Sequence, residues 1–348
     1  MSQIAVIGAG AWGTALSIVL GRSERHHIRL WAYEKEVRDA IESTRTNTVF
    51  LPEHRIPNSV SATADFRVAL SGAEIIVSAL PSQHCRRVFQ EMAAHLSPDV
   101  LVASATKGLE QNTLLRMSEV ICEIVKEKCQ IGSLSGPTFA QEVARGDPTA
   151  ITIASKDTAL ARAIQREFSD PAFRVYTNDD IVGVELGGAL KNTIAIAAGA
   201  CHGLGLGHNS VAALITRGLA EMTRLVVACG GRAETMAGLA GLGDLVLTCT
   251  GALSRNRSVG VELGRGRKLP EIISSMHGMV AEGVFTTAAA AQLAAAHQVE
   301  MPITEQIHAI LNGQKSPRDA MRELMTRTSK SELHLPRSLP PTDGVTCE

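Results

Sequence analysis

The sequence lacks an excess of charge of either sign, and it lacks the cysteine patterns of metal sites. It has 34 Lys and Arg against 35 Asp and Glu, a formal net charge of −1, so it offers no polycationic surface to nucleic acid. Its seven cysteines include no C-x-x-C pair, and an odd number completes no disulfide framework. We therefore expect no bound metal, no nucleic-acid partner and a reducing, cytoplasmic location.

Long hydrophobic runs are also missing. The first apolar stretch contains three glycines and follows no basic segment, so it does not predict a signal peptide. Later apolar stretches are interrupted by Gly, His or Lys well before the roughly 18 residues that a membrane span needs. We therefore expect no membrane partner. The 348 residues, 45% of them hydrophobic, are enough for two domains with buried cores.

The first half of the chain alternates short β-rich runs with helical segments, which is typical of a parallel sheet with crossover helices. The run from Ile75 to Leu80 is apolar without alternation, as in a strand covered on both faces. We predict strands at 3–7, 27–33, 74–80, 100–105, 130–135, 150–154 and 172–176. These runs predict an α/β domain with a mostly parallel sheet over residues 1–178.

After about residue 178 the strand pattern stops and Ala/Leu/Gly-rich helical segments follow. We predict helices at 179–200, 209–229, 257–264, 286–297, 302–312 and 317–327. Asn209-Ser210 predicts the start of the second helix, and Ser316-Pro317 predicts the start of the last. The second domain is therefore expected to be all-helical over 179–327, followed by a disordered tail over 328–348.

Three glycines follow the first predicted strand in G-x-G-x-x-G spacing. Gly8 allows a tight turn, Gly10 allows the backbone to approach a pyrophosphate, and Gly13 allows the following helix to pack on the strand. The helix N-terminus offers free N–H groups to that pyrophosphate. The alternative is a purely structural glycine turn. The strand before and the helix after favour a Rossmann-like, dinucleotide-binding domain.

Two lysines are candidates for the chemistry. Lys107 directly follows a predicted strand, at the edge of the sheet where ligands bind, although a solvated loop lysine would fit the same pattern. Lys191 lies in a helix just after Gly187 and Gly188, each of which costs the helix about 1 kcal/mol relative to alanine. Such a helix face is kept clear for a ligand or for a neighbouring helix. A partly buried lysine there would have a lowered pKa and could donate a proton.

Two further groups complete the set of candidates. Asp244 has apolar neighbours, so it is either a helix N-cap or the partner of a buried cation. Ser254, Arg255 and Asn256 precede a short helical segment, where an arginine and free N–H groups could hold a phosphate. The alternative is a capped helix with solvated arginines.

With these residues in place, the chain resembles bacterial NAD(P)-dependent glycerol-3-phosphate dehydrogenases over roughly residues 3 to 327. The motifs that carry the resemblance are GAGAWGTA at 8–15, ATKGL at 105–109, LSGPTFA at 134–140, ELGGALKN at 185–192, GLGDL at 241–245 and SRN at 254–256. The resemblance implies reduction of dihydroxyacetone phosphate to sn-glycerol 3-phosphate for phospholipid synthesis, with NAD or NADP as cofactor and no metal. It also implies a homodimer.

The resemblance further assigns roles to individual residues. It implies that Lys191 is the proton donor, assisted by Lys107 and Asp244. The implied substrate contacts are Lys107, Gly136, Thr138, Lys191, Asp244, Ser254, Arg255 and Asn256. The implied cofactor contacts are Gly8, Gly10, Trp12, Gly13, Tyr33, Lys107, Ala140, Arg255, Val280 and Glu282.

The chain departs from the family pattern at two points. Many bacterial members have serine or threonine where this chain has Ala11, so a hydroxyl contact is missing. Tyr33-Glu34 closes the second predicted strand and leaves the choice between NAD and NADP open, since a glutamate accepts a ribose 2′-hydroxyl but repels a 2′-phosphate.

Two alternatives remain open at this stage. One is a related two-domain dehydrogenase for a β-hydroxy acid or sugar acid, which would anchor a carboxylate in place of a phosphate. The other is a non-catalytic protein that senses NAD(H), for which we would expect a basic DNA-binding unit.

Overall fold

The computed structural model describes residues 2–126, 129–276, 281–329 and 331–332. Within these ranges the strands are β1 Ser2–Ile7, β2 His26–Trp31, β3 Thr46–Asn47, β4 Leu51–Arg55, β5 Val60–Thr63, β6 Ile75–Ser78, β7 Val100–Ser104, β8 Cys129–Ser135, β9 Thr149–Ala154 and β10 Phe173–Asn178. Eight of them form one sheet in the order β10-β9-β8-β7-β6-β1-β2-β5. Every pair is parallel except β8 with β9. The mostly parallel sheet is therefore confirmed.

The central strands are buried on both faces. Ile4 and Val6 of β1 join the apolar core on one face of the sheet, and Ala5 and Ile7 join the core on the other. A strand covered on both sides must be apolar at consecutive positions, which explains its unbroken hydrophobic run. Strands β1, β2, β6, β7 and β8 run in the same direction, so their carboxyl ends lie along one edge of the sheet.

The sequence did not predict three strands. Strand β5 lies at the sheet edge and buries only its first residue, so it has no apolar run. Strands β3 and β4 form a separate two-stranded hairpin, and β4 contains a proline and polar residues. The predicted strand 27–33 was too long, because β2 ends at Trp31 and Glu34 is the N-cap of the next helix.

The helices of the first half are α1 Ala11–Arg22, α2 Lys35–Thr44, α3 Phe66–Leu70, α4 Ser82–Met92, α5 Met117–Val125, α6 Ala140–Arg145 and α7 Thr158–Phe168. Those of the second half are α8 Ile181–Gly203, α9 His208–Ala228, α10 Ala233–Met236, α11 Asp244–Thr250, α12 Arg255–Gly264, α13 Leu269–Ser274, α14 Glu282–Ala296, α15 Pro302–Leu311 and α16 Pro317–Met325. A π-helical turn, Leu239–Gly243, precedes α11. All six helices predicted there are present, whereas the short α10, α11 and α13 were not predicted as helices.

Helix α8 is the centre of the second half. It contacts α9, α11, α12 and α14. It is also long and apolar enough to cross a membrane, but 89% of that stretch is buried inside the protein. A helix surrounded by other helices is apolar on all sides, so its composition is that of a core helix.

One predicted cap is confirmed and one is wrong. Ser316 accepts a hydrogen bond from the Asp319 N–H and Pro317 opens α16, as predicted. Helix α9 instead begins after Gly207, so Asn209 and Ser210 already lie within its first turn and cap nothing. The predicted tail falls mostly on residue 330 and residues 333–348, which lie outside the described residues.

Candidate active site

The glycine-rich turn after β1 has the shape of a pyrophosphate site. Gly8 has a φ of +112°, and a Cβ there would lie 2.7 Å from the Ala79 carbonyl oxygen. A Cβ on Gly13 would lie 1.8 Å from the Gly8 oxygen, whereas one on Gly10 would meet nothing within 4 Å. Helix α1 starts after Gly10 with no side-chain cap. The turn therefore presents open space and free helix N–H groups, which suit a diphosphate.

Three other predicted cofactor residues lie along the same domain. Trp12, in the first turn of α1, packs partly into the core, and its buried Nε1 has no hydrogen-bond partner among the described residues. Tyr33 follows β2 and is 68% exposed. Ala140 is the first residue of α6. β2 lies three strand positions from β7, so Tyr33 is roughly 14 Å along the sheet from the Lys107 loop.

One carboxylate joins the two candidate lysines. Asp244 Oδ2 lies 2.7 Å from Lys107 Nζ, and its Oδ1 lies 3.0 Å from Lys191 Nζ. Lys107 Nζ also donates to the Gly136 carbonyl at 3.1 Å, directly after β8. The N-cap of α11 is Gly243, so Asp244 is the partner of the buried Lys191 and of the partly buried Lys107. Partner of a buried cation is one of the two roles that the sequence left open. The cluster carries a net charge of +1, which favours an anionic ligand.

Lys191 is the most deeply buried of these cations, with 6% of its surface exposed. Its ammonium donates to the Thr248 hydroxyl at 2.8 Å, and that hydroxyl donates to the Asp244 backbone carbonyl at 2.6 Å. Burial lowers the pKa of Lys191 to about 8, with the Lys107 charge acting in the same direction and Asp244 opposing both. An ammonium group with a pKa near the working pH is a good proton donor.

The two glycines before Lys191 have different neighbours. A Cβ on Gly187 would lie 2.8 Å from the Ala240 carbonyl oxygen, in the π-helical turn. A Cβ on Gly188 would lie 2.4 Å from Ser135 Oγ and 3.8 Å from Lys107 Cδ. Gly187 therefore allows the turn before Asp244 to approach α8. Gly188 allows β8 and the Lys107 side chain to approach it.

The start of α12 carries the predicted phosphate contacts. Ser254 is the N-cap and accepts from the Arg257 N–H, and Arg255 is the exposed first residue of the helix. Desolvation of the guanidinium lowers the pKa of Arg255, and the negative charge of the nearby Glu282 opposes that shift. The buried Asn256 donates to Asn192 Oδ1 and accepts from the Gly283 N–H, both at 2.9 Å. These contacts use one amide N–H of Asn256 and leave the other for a ligand.

Glu282 connects the helical second half of the chain to the start of α4 in the first half. It accepts from the Ser82 hydroxyl at 2.8 Å, the Ser82 N–H at 3.3 Å and Gln83 Nε2 at 3.4 Å, at the N-terminus of α4. Burial raises the pKa of its carboxyl group. Its Oε2 lies 3.5 Å from where a Cβ on Gly108 would be, so it reaches the Lys107 loop. Val280, which is also predicted to contact the cofactor, lies outside the described residues.

The remaining predicted substrate residue belongs to the same cluster. Thr138 donates from its hydroxyl to the Gly136 carbonyl at 3.1 Å, the oxygen that also accepts from Lys107. Sequence reasoning missed Thr248, although it lies four residues after Asp244 and so on the same helix face. It also missed Ser82, for which no local signal exists, because its partner is 200 residues away. Within the described ranges, no group of three His, Cys, Asp or Glu could hold a metal ion.

Together, the glycine-rich turn and the two lysines joined by Asp244 are the features of a dinucleotide-dependent dehydrogenase. Family models for the N-terminus and the C-terminus of NAD-dependent glycerol-3-phosphate dehydrogenase match residues 3–161 and 180–322. The chain belongs to this family. Membership decides against the hydroxy-acid dehydrogenase and the non-catalytic sensor that the sequence left open.

Individual relatives agree with the family match. The chain is 67% identical to the glycerol-3-phosphate dehydrogenase [NAD(P)+] of Koribacter versatilis over 337 residues, which cover 96% of this chain and 100% of that protein. It is 56% identical to the enzyme of the same name from Acidobacterium capsulatum, covering 95% and 100%. The crystal structure of glycerol-3-phosphate dehydrogenase from Coxiella burnetii superposes with a TM-score of 0.90 at 41% identity, covering 94% and 99%.

Proposed function

We propose that the protein reduces dihydroxyacetone phosphate to sn-glycerol 3-phosphate, reversibly, with NADH or NADPH. The observation that carries this proposal is the buried Lys191, with a pKa of about 8, joined through Asp244 to Lys107. The names of the relatives supply the substrate. We take residues 1–178 as the cofactor domain and 179–327 as the substrate domain, since β10 ends at Asn178 and α8 begins at Ile181.

The cofactor would lie along the carboxyl edge of the sheet. Gly8, Gly10 and Gly13 would hold the pyrophosphate, and Trp12, Tyr33, Ala140, Arg255, Val280 and Glu282 would line the remainder. The open space at Gly10 and the uncapped N-terminus of α1 support this placement. When bound, the reduced nicotinamide supplies a hydride.

The residues around Asp244 would supply the proton. Lys191 donates it to the carbonyl oxygen as negative charge develops there, and the neutral amine then regains a proton from solvent. Asp244 holds both ammonium groups in place, and Lys107 adds a positive charge that stabilises the developing alkoxide. Thr248 fixes the direction of the Lys191 ammonium through its hydroxyl.

The substrate phosphate would bind at the start of α12. Arg255 provides a charged pair of donors, and the N–H groups of the first helical turn add a favourable dipole. Ser254 and Asn256 would contribute from the same turn, and Gly136 and Thr138 from the end of β8. A dianionic substrate suits the net positive charge of this cleft.

The direct test is the loss of nicotinamide absorbance when dihydroxyacetone phosphate is added to the protein with NADH or NADPH. We expect stoichiometric formation of sn-glycerol 3-phosphate, identified by chromatography. Turnover of a β-keto acid but not of the triose phosphate would contradict the proposal. The Lys191→Ala variant should bind NADH normally and serves as the control for contaminating activity.

We also propose that the protein serves phospholipid synthesis as a cytoplasmic homodimer without a nucleic-acid or membrane partner. Five described cysteines are free thiols, which fits a reducing compartment; they are Cys85, Cys122, Cys201, Cys229 and Cys249. The exposed apolar side chains of Leu242, Val246 and Leu253 lie on one short segment and support an interface with a second copy. Light scattering at several protein concentrations would distinguish a dimer from a monomer.

A further inference from the structure

The β3–β4 hairpin lies between α2 and β5, outside the main sheet, and it packs against α1 and α6. Leu51 and Ile56 anchor it, and both are fully buried in the core that α1 shares. The hairpin therefore lies directly behind the glycine-rich turn.

Asn47 in this hairpin bonds to that turn. Its side chain is fully buried, and Nδ2 lies 2.8 Å from the Ala9 carbonyl oxygen and 2.8 Å from Thr14 Oγ1. Its Oδ1 accepts from the Phe50 N–H at 3.1 Å, which closes the hairpin. Both amide hydrogens and one carbonyl lone pair are thus used. A buried asparagine so fully bonded has a single orientation.

The bond to Ala9 controls the direction of a neighbouring donor. The carbonyl of Ala9 and the N–H of Gly10 belong to the same peptide unit, and in a trans peptide they point in opposite directions. Because Asn47 draws the carbonyl inward, the Gly10 N–H points outward, toward the open side of the turn. The Thr14 hydroxyl also donates to this carbonyl, at the longer distance of 3.4 Å. Without the shorter bond from Asn47 the peptide is held less firmly, and a flip would present a carbonyl oxygen to the pyrophosphate and repel it.

We propose that Asn47 is a positioning residue for the dinucleotide, which it serves by fixing the Ala9–Gly10 peptide. The inference rests on the proposed function, since it needs a diphosphate at the turn. Asn47 touches neither the lysine cluster nor the start of α12, so its effect should be confined to cofactor affinity. A purely structural residue would lower stability without that selectivity.

The test measures dissociation constants of NADH by fluorescence, alongside kcat and the KM for dihydroxyacetone phosphate. Asn47→Ala removes the shorter of two hydrogen bonds to the buried Ala9 carbonyl and leaves only the one from the Thr14 hydroxyl, at 3.4 Å. We therefore expect NADH and ADP-ribose to bind roughly 5- to 150-fold more weakly. The kcat at saturating cofactor and the KM of the triose phosphate should change less than about twofold. The matched control is Leu51→Ala, which disturbs the same hairpin but has no bond to the turn; it should lower Tm and leave NADH affinity near the wild-type value.

Three results would overturn the inference. These are unchanged NADH affinity in Asn47→Ala, an equal loss in Leu51→Ala, or a loss for NADH that ADP-ribose does not share. If Asn47→Ala does not fold, two variants of Thr14 test the inference in its place. Thr14→Val removes the hydroxyl that accepts a hydrogen bond from Asn47, and Thr14→Ser keeps a hydroxyl there. Weaker NADH binding in the valine variant only would support the inference, and equal binding in both would overturn it. A wild-type protein that binds neither NADH nor NADPH would instead refute the proposed function.

Discussion

The pH dependence of catalysis provides the sharpest test of the lysine–aspartate cluster. Only the protonated form of Lys191 can donate to the substrate oxygen, and its pKa is about 8. The rate of carbonyl reduction should therefore be constant at lower pH and fall as the pH rises through about 8. In the reverse direction the neutral amine must accept the proton, so the rate of alcohol oxidation should rise over the same range.

Replacing Asp244 with asparagine should move that transition to lower pH. Asp244 Oδ1 lies 3.0 Å from the Lys191 ammonium and opposes the effect of burial on its pKa. An opposite charge at this distance raises the pKa of a lysine by about 1–3 units, so we expect a value of about 5–7 in the variant. With a pKa of about 6, about 9% of Lys191 is protonated at pH 7, compared with about 91% at a pKa of about 8. This difference alone predicts roughly a tenfold loss of reduction rate at pH 7.

The assay is kcat for reduction between pH 5 and pH 10 at saturating substrates, in wild type, Asp244→Asn and Thr248→Val. The Thr248 variant is the control, because it removes a hydrogen bond to Lys191 without changing the charge of the cluster. It should lower kcat with a smaller displacement of the pH transition. If Asp244→Asn keeps its transition near pH 8, Lys191 is not the titrating group or Asp244 does not set its pKa.

Four further outcomes are expected. Lys191→Ala should lower kcat by about 10²–10⁴-fold with NADH affinity unchanged, and near-normal turnover would exclude it as the proton donor. Arg255→Ala should raise the KM for dihydroxyacetone phosphate about 10- to 150-fold, more than it changes NADH affinity; an unchanged KM would mean that Arg255 does not hold the phosphate. Glu34→Gln should improve kcat/KM for NADPH relative to NADH by several-fold, and no response would mean that Glu34 faces away from the ribose. Burial raises the pKa of Glu221 to about 7, so it contributes stability that is complete below about pH 4.5 and is lost as the pH rises through 7. Denaturant titrations of the wild type and Glu221→Gln should give the free energy of unfolding at pH 4.5 and pH 8. Its decrease over this range should be about 3 kcal/mol smaller in Glu221→Gln, and an equal decrease in both proteins would show that Glu221 does not have a raised pKa.

The first domain could be predicted wherever local pattern determines structure. The seven predicted strands are all present, and the central ones were predictable because strands buried on both faces need consecutive apolar residues. The edge strand β5 and the β3–β4 hairpin were missed because they bury few side chains and therefore have little hydrophobic pattern. The hydrogen bonds of Asn47 could not be predicted for a different reason, because its partners lie 33 and 38 residues away.

The individual residues of the site could be predicted from the sequence, but the contacts between them could not. Lys107, Lys191 and Asp244 each stood out by their position relative to a strand, two glycines or an apolar run. Only the fold shows that one carboxylate holds both ammonium groups, across a separation of 137 residues for Lys107. The choice between N-cap and cation partner for Asp244 depends on tertiary contacts, so no local pattern could make it.

The glycines of α8 show why one sequence signal can have two meanings. A missing Cβ indicates that something approaches the helix closely, but it does not indicate what. At Gly199 a Cβ would lie 2.0 Å from the Arg257 carbonyl oxygen of α12, so the neighbour is another helix. At Gly188 the neighbours are Ser135 and the Lys107 side chain, so the missing Cβ opens the helix to the lysine–aspartate cluster. The sequence predicts that other elements approach α8 closely, and only their packing shows which glycine faces another helix and which faces the cluster.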